Sequence, residues 1–217
     1  MSFESLTATT HAPYTARVPD YDQDDARLRL LDGIAKAVAA KGYAATTIAD
    51  IVAQARVSKR TFYQHYSGKE ACFSALYVAA STRALHVLQD ALSEELPWEA
   101  QVERAISAYF ATLAENHERA RTLYIEVLRM GLPGLVLRRA SHARFATWIV
   151  EVVAAKSTLN ETQRTMALSL AEAVVGGIHE LVLKALEGER TEDLSLLVAP
   201  ASRLVLAVFG GGVSTQR

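Results

Sequence analysis

Apolar residues recur at spacings of three and four along nearly the whole chain, and few segments alternate with period two. A core built on that pattern is made by helices packing on helices, so an all-α fold is expected. The first run shows the rule: Leu28, Leu31, Ile34, Ala35 and Val38 share one helical face, and Lys41-Gly42 closes the run with a base and a glycine. Residues 1–23 lie outside the pattern and, with Pro13, Pro19 and several threonines, read as a flexible arm. With 217 residues and a hydrophobic fraction of 50%, the chain is long enough to bury a real core, which excludes a disordered polymer.

Two short helices follow. Thr46-Thr47 supplies an N-cap for one of about two turns, with Ile48, Ile51, Val52 and Ala55 as its buried side. Arg56-Val57 reads as a tight turn. Ser58 caps the next helix, whose apolar positions are Phe62 and Tyr66, and Ser67-Gly68 interrupts it. A fourth helix begins near Lys69, with Phe73, Leu76, Tyr77 and Ala80 on one side, and runs to about Leu92. Short helices joined by a tight turn, the second basic and polar on its outer face, form a helix-turn-helix geometry. Such a second helix fits the major groove of DNA, where residues near its start reach base edges.

Charge supports that reading. The formal net charge is −1, but Ala26 to Glu70 carries +5 and the remainder −6. A basic segment on an acidic body suits a polyanion partner at one end only.

The run Thr47-Ile48-Ala49-Asp50-Ile51-Val52-Ala53-Gln54-Ala55-Arg56-Val57-Ser58, continued by Thr61-Phe62-Tyr63-Gln64-His65-Tyr66 and Lys69-Glu70, closely resembles the DNA-binding segment of the TetR/AcrR family of transcriptional regulators. The resemblance covers roughly residues 26–75. It implies an arm over 1–23, a three-helix DNA-binding domain over 24–70 and a helical ligand-binding and dimerisation domain over 71–217. It also places Thr47 and Ser58 at the DNA backbone, where helix N-termini suit a phosphate. Lys59, Arg60, Thr61, Tyr63, Gln64 and His65 lie on or near the exposed side of the recognition helix. Arg60 and Gln64 have the donor geometry to read guanine and adenine edges, while Tyr63, His65 and Lys69 suit phosphates. Tyr66 divides between core and phosphate. Many members have glycine where this chain has Arg56. If that position needs positive φ, the arginine costs about 1 kcal/mol, a cost that a phosphate contact would offset.

From Trp98 onward only the helical layout resembles the family. Helices are expected at about 98–115, 117–130, 134–155, 161–188 and 192–209, with breaks at Gly131-Pro133 and around Gly188. The last two are apolar on two sides. In one, Met166, Leu170, Ala173, Val174, Gly177 and Leu181 form one stripe and Leu168, Val175, Ile178, Val182 and Leu186 another. In the other, Leu194, Leu197, Val198, Ala201, Leu204, Val205 and Val208 lie together, and Pro200 either kinks the helix or begins its second part. A helix apolar on two sides buries both, and by resemblance two such helices per subunit form a homodimer interface. Val174, Gly177, Ile178, Leu181, Leu197, Ala201, Leu204, Val205 and Val208 are its candidates, with Gly176-Gly177 permitting close approach. Trp98, Tyr109, Phe110, Tyr124, Met130, Phe145, Trp148, Met166 and His179 are candidates for a small-molecule pocket.

Other classes fit less well. The six histidines are scattered, with no zinc-protease motif, phosphate loop or nucleophile elbow, so neither an enzyme nor a metal or cofactor site is expected. Cys72, the single cysteine, reads as a small buried residue. It allows no internal disulfide, and residues 1–23 lack an apolar run, so a cytoplasmic protein is expected. The apolar stretch from Leu194 to Val213 is broken by Ser195, Pro200, Ser202 and Arg203, which argues against a membrane span. The resulting expectation is a dimeric repressor that binds palindromic DNA and is released by a small ligand. An activator of the same fold, or a helical interaction module without operator binding, is the alternative.

Overall fold

A computed structural model describes residues 21–155, 158–187 and 193–210. Among these residues there are nine α-helices, one 3-10 turn and no strand. The expected arm lies outside the described residues up to position 20, and helix α1 (Tyr21–Ala45) begins three residues before the expected domain edge. Its helical dihedrals break at Gly42 (φ 78°, ψ 160°), where the sequence ends the first helix. Helices α2 (Ile48–Ala55), α3 (Lys59–His65) and α4 (Lys69–Ala91) follow.

Local chemistry accounts for these boundaries. Thr47 and Asp50 form a reciprocal capping box at the start of α2: the Asp50 N–H donates to Thr47 Oγ1 at 3.2 Å and the Thr47 N–H to Asp50 Oδ2 at 2.8 Å. Lys41 adds an ion pair to Asp50 at 2.7 Å. These bonds, from Lys41 first and then Thr47, hold the Asp50 carboxyl well below the usual carboxylate range. Ser58 Oγ accepts the Thr61 N–H at 3.0 Å and caps α3.

The second half comprises α5 (Trp98–Glu115), α6 (His117–Arg129), α7 (Leu132–Ala154), α8 (Glu161–Glu187), the 3-10 turn Leu194–Leu197 and α9 (Val198–Phe209). Asn116 caps α6 through a bond from the Arg119 N–H. Reciprocal bonds between Asn160 and Gln163 start α8. Two expected breaks are resolved differently. Gly131, at φ 69°, makes the turn before α7, whereas Pro133 sits inside the first turn of that helix, where its missing N–H costs nothing. Pro200 likewise falls in the first turn of α9, after the 3-10 turn, so it opens the second part of that segment. The expected break near Gly188 lies outside the described residues.

Two cores result. The first gathers Leu30, Ile34, Val38, Ile51, Phe62, Phe73 and Leu76 from α1 to α4, and the second gathers Phe110, Val150, Val174, Val182 and Leu186 from α5 to α8. Helix α6 serves both, since Leu123 and Val127 enter the first core while Tyr124 enters the second. Helix α4 starts in the first core and packs Leu88 and Ala91 against Ala105 of α5 at its far end.

Glycine sets one close approach. A Cβ at Gly33 of α1 would lie 2.8 Å from Ile51 O and 2.9 Å from Ala55 Cβ, so only glycine lets α2 lie this near to α1. Helices α4 and α8 are long and apolar enough to cross a membrane by length and composition alone, and both pack in this bundle.

Candidate nucleic-acid interface and enclosed cavity

The outer face of the α2-turn-α3 unit is defined by what α3 cannot bury. Phe62 is fully buried, its ring edge-on to Tyr63 at 5.4 Å and tilted to Tyr66 at 6.0 Å. That anchor turns Lys59, Arg60, Tyr63 and Gln64 outward, with Thr61 and His65 on the flanks. Val57, in the turn, is half-buried against the same core. Arg56 adopts the left-handed conformation (φ 54°, ψ 45°), the one non-glycine residue with positive φ among those described. Its N–H bonds back to α2, so the turn geometry demands this conformation.

Several bases of the +5 segment are already paired. Arg29 pairs with Asp25 at 3.2 Å, Lys36 with Asp32 at 2.7 Å and Lys41 with Asp50. Arg56, Lys59 and Arg60 have no ion-pair partner among the described residues and are exposed, so the unneutralised charge of the unit concentrates at the turn and the start of α3.

Two expected phosphate residues are placed differently. The Lys69 ammonium donates to the carbonyls of Tyr43 (2.7 Å), Thr46 (2.9 Å) and Ala44 (3.3 Å) and lies 4.4 Å from the Tyr43 ring centroid. All three donors are engaged, so Lys69 caps the end of α1 and leaves no donor for a phosphate. Tyr66 is 8% exposed and its hydroxyl is buried without a partner, which makes it core.

Glu126 completes the clamp on the same junction. This carboxylate, on α6, accepts the Tyr43 N–H at 2.7 Å and pairs with Arg129 at 2.9 Å. The break at Gly42 thus leaves carbonyls that Lys69 satisfies and an N–H that Glu126 satisfies. Neither partner was legible in the sequence, because they lie 26 and 83 residues from Tyr43.

The second half holds a partly open cavity of about 160 Å3, walled by α4 to α9. Six of the nine expected pocket residues line it: Trp98, Tyr109, Tyr124, Phe145, Trp148 and His179. The other three do not. Phe110 is 1% exposed inside the second core, Met130 packs on the first core, and Met166 is 61% exposed on the outer side of α8. Tyr77, Ser141 and His142 line the cavity and were missed, since a lone tyrosine or histidine at helical spacing looks like any half-buried residue.

The lining is apolar except in one region. There the Tyr109 and Tyr124 hydroxyls hydrogen-bond to each other, the His179 ring stacks on Tyr124 at 4.3 Å, and His142 tilts against His179 at 4.6 Å. Burial raises the phenols of Tyr77, Tyr109 and Tyr124, the first to about 12. Burial and the nearby Arg138 charge lower His142 to about 4, and burial, His142 and Arg138 lower His179 to about 3. All five groups are neutral at pH 7. Cys72 is fully buried, and burial pushes its thiol up to about 12, which leaves it unreactive.

The neutral His179 has a consequence for stability. Unfolding restores an imidazole that protonates near pH 6.5 while the folded form resists until about 3, so the unfolded state binds the extra proton between those values. Stability is therefore expected to fall as pH drops below about 6.5, with a slope of up to about 1.4 kcal/mol per pH unit from this group. Denaturation midpoints from pH 7 to pH 4.5 check it, and His179→Gln should flatten the curve.

The nine residues expected at a subunit interface divide. Val174, Ala201 and Val205 are buried within the subunit, and Val205 and Ile178 line the cavity. Gly177 approaches its own chain: a Cβ there would meet Leu204 Cδ2 at 3.1 Å where α8 crosses α9. Leu181, Leu197, Leu204 and Val208 are half-buried, and beside them Met166 and Leu170 are exposed.

A short basic helix held against its neighbour by a left-handed turn, on a helical body with an apolar cavity, is a helix-turn-helix fold joined to a helical bundle. Residues 30–76 match the family model of bacterial regulatory proteins of the tetR family, which bears out the resemblance to that family. No curated protein matches the chain in sequence. Solved structures with a similar fold include the fatty acid degradation regulator FadR from Bacillus halodurans, at 19% identity and TM-score 0.66 over 87% of this chain and 96% of that one. FadR from Bacillus subtilis in complex with stearoyl-CoA matches at 18% identity and TM-score 0.65, over 83% and 98% of the two chains. A regulatory protein of the tetR family from Rhodococcus matches at 22% identity and TM-score 0.59, over 85% and 96%. At these identities the likeness speaks for the fold alone.

Proposed function

We propose that this protein is a homodimeric repressor that binds a palindromic DNA operator and is released by a small molecule held in the α4–α9 cavity. The observation that carries the reading is the outward set of the turn and α3: unpaired Arg56 in the turn, and Lys59 and Arg60 beside Tyr63 and Gln64 on a helix anchored by the buried Phe62. Arg60 and Gln64 read base edges. Arg56, Ser58, Lys59, Thr61, Tyr63 and His65 position the unit on phosphates, whereas the Thr47 N–H and hydroxyl both donate to the Asp50 carboxylate and leave Thr47 as the cap of α2. The cavity is the effector site, and the stearoyl-CoA complex of Bacillus subtilis FadR supports a small-molecule occupant in this fold.

Dimerisation follows from the outer face of α8 and α9. Met166, Leu170 and the half-buried Leu181, Leu204 and Val208 leave apolar surface that a second copy covers by two-fold symmetry, which sets two recognition helices on one duplex. Met166→Glu combined with Leu170→Glu is expected to convert the dimer to a monomer in light scattering without changing the circular dichroism of the chain, since both side chains are exposed in the subunit.

Release works through α6. This helix carries Tyr124 to the cavity, Leu123 to both cavity and first core, and Glu126 to the Tyr43 N–H at the end of α1. A ligand that favours a displaced α6 shifts the population toward mis-spaced recognition helices and lowers operator affinity by its differential affinity for the two states.

Arg56 supplies a test of the phosphate set. Arg56→Gly relieves the left-handed strain and is expected to raise stability by up to about 1 kcal/mol. It also lowers the slope of log K against log salt for duplex binding by about 0.9 per subunit. An unchanged slope rules out the phosphate contact. A broader check is retention on nonspecific duplex across a salt series. A regulator shows steep salt dependence, whereas a purely protein-binding bundle shows none.

A further inference from the structure

The polar region of the cavity has a composition that apolar packing does not explain. His179 is 8% exposed, lines the cavity, and has its Nε2 buried with no hydrogen-bond partner; His142 Nε2 is in the same state. Leaving such groups unmet costs about 1–3 kcal/mol each. Arg138, one turn before His142 on α7, has its Nε buried without a partner and forms no ion pair among the described residues. Five helices line this region, with Tyr77 from α4, Tyr109 from α5, Tyr124 from α6, His142 from α7 and His179 from α8, while Arg138 stands behind His142 outside the lining. The groups that act electrostatically on the two imidazoles are Arg138 and, for His179, His142, and no carboxylate is among them. The tyrosines are neutral phenols whose hydroxyls satisfy each other at Tyr109 and Tyr124.

We propose that the cavity selects an amphipathic monocarboxylate, its apolar body among Trp98, Phe145 and Trp148 and its carboxylate against His142 Nε2 and His179 Nε2, within the field of Arg138 behind them. This rests on the reading of the cavity as an effector site. A carboxylate accepts hydrogen bonds and donates none, so it requires each imidazole nitrogen that faces it to carry a proton. Arg138 supplies a fixed positive charge at that end, where an ammonium head would be repelled and a hydroxyl would gain little. The bound anion also favours charged imidazoles, which are neutral in the empty cavity, so binding takes up protons.

Octanoate, octanol and octylamine share one chain and differ in the head. Titration calorimetry of the full chain at pH 6.5, in two buffers of different ionisation enthalpy, is expected to show octanoate binding at least tenfold tighter than octanol, with net proton uptake, and octylamine weakest. His179→Phe and Arg138→Gln each erase the preference for octanoate, and the second keeps the test open should the first fail to fold. Equal or tighter binding of octanol, binding of octanoate without proton uptake, or no binding of any of the three overturns the assignment. Salt-dependent duplex binding is scored on the same preparation. Octanoate held by a chain that binds no duplex preserves the head-group chemistry and removes the effector role. Duplex binding without a preference for octanoate preserves the regulator and removes the head-group assignment.

Discussion

Phe62→Ala is expected to lower the stability of the DNA-binding half by about 3–5 kcal/mol. Phe62 is fully buried, holds Tyr63 and Tyr66 in ring contact, and is the main side chain joining a seven-residue helix to its neighbours. A helix that short has no stability of its own in water. Removing the ring leaves a cavity that α1 and α2 fill only partly, because Gly33 already brings their backbones as close as they can come. Against a total stability of about 5–15 kcal/mol for a domain, the loss is enough to detach α3. Urea denaturation followed by circular dichroism measures it, with Tyr63→Ala as the control. Tyr63 is 58% exposed, so its removal should change stability by no more than about 0.5 kcal/mol.

Arg60→Ala is expected to leave stability within the same narrow range and to act on DNA instead. The side chain is exposed and unpaired, so truncation uncovers no core. A bidentate arginine contact to guanine contributes about 1–3 kcal/mol of discrimination, and a symmetric dimer makes it twice. The specific affinity should therefore fall by a factor between about thirty and about twenty-five thousand, while nonspecific binding falls only by the loss of one charge per subunit. Competition of labelled operator with nonspecific duplex separates the two. A uniform loss on both would place Arg60 on phosphate and leave Gln64 as the reader.

How much of this was legible in advance depended on the range of the interaction. The caps at Thr47 and Ser58 are settled within a few residues of chain and were readable from residue type and spacing, while the left-handed Arg56 was pointed to by the glycine that many family members carry there. So were the bounds of α5, α6 and α8, to within one residue at each end. Tyr66, divided between core and phosphate in the sequence, packs in the core, and Lys69 was read toward phosphate because an exposed lysine and a packed one have the same sequence signature. Only the fold brings Lys69 under the carbonyls at the end of α1. The cavity shows the same division. Helical spacing of aromatic residues found part of its wall, but no spacing rule pairs His142 with His179, which meet only because α7 and α8 pack together. Val174, Ala201 and Val205, interface candidates by resemblance, are buried within the subunit. A helix apolar on two sides does not announce which side its own subunit covers.

The most direct test of the central claim is selection of bound duplexes from a random pool by the full chain at physiological salt, followed by footprinting of the selected sequence. The account predicts one enriched inverted repeat whose half-sites are each lost with Arg60→Ala, protected by a dimer. Enrichment of no sequence, with retention that falls steeply with salt and equally for wild type and Arg60→Ala, would contradict it.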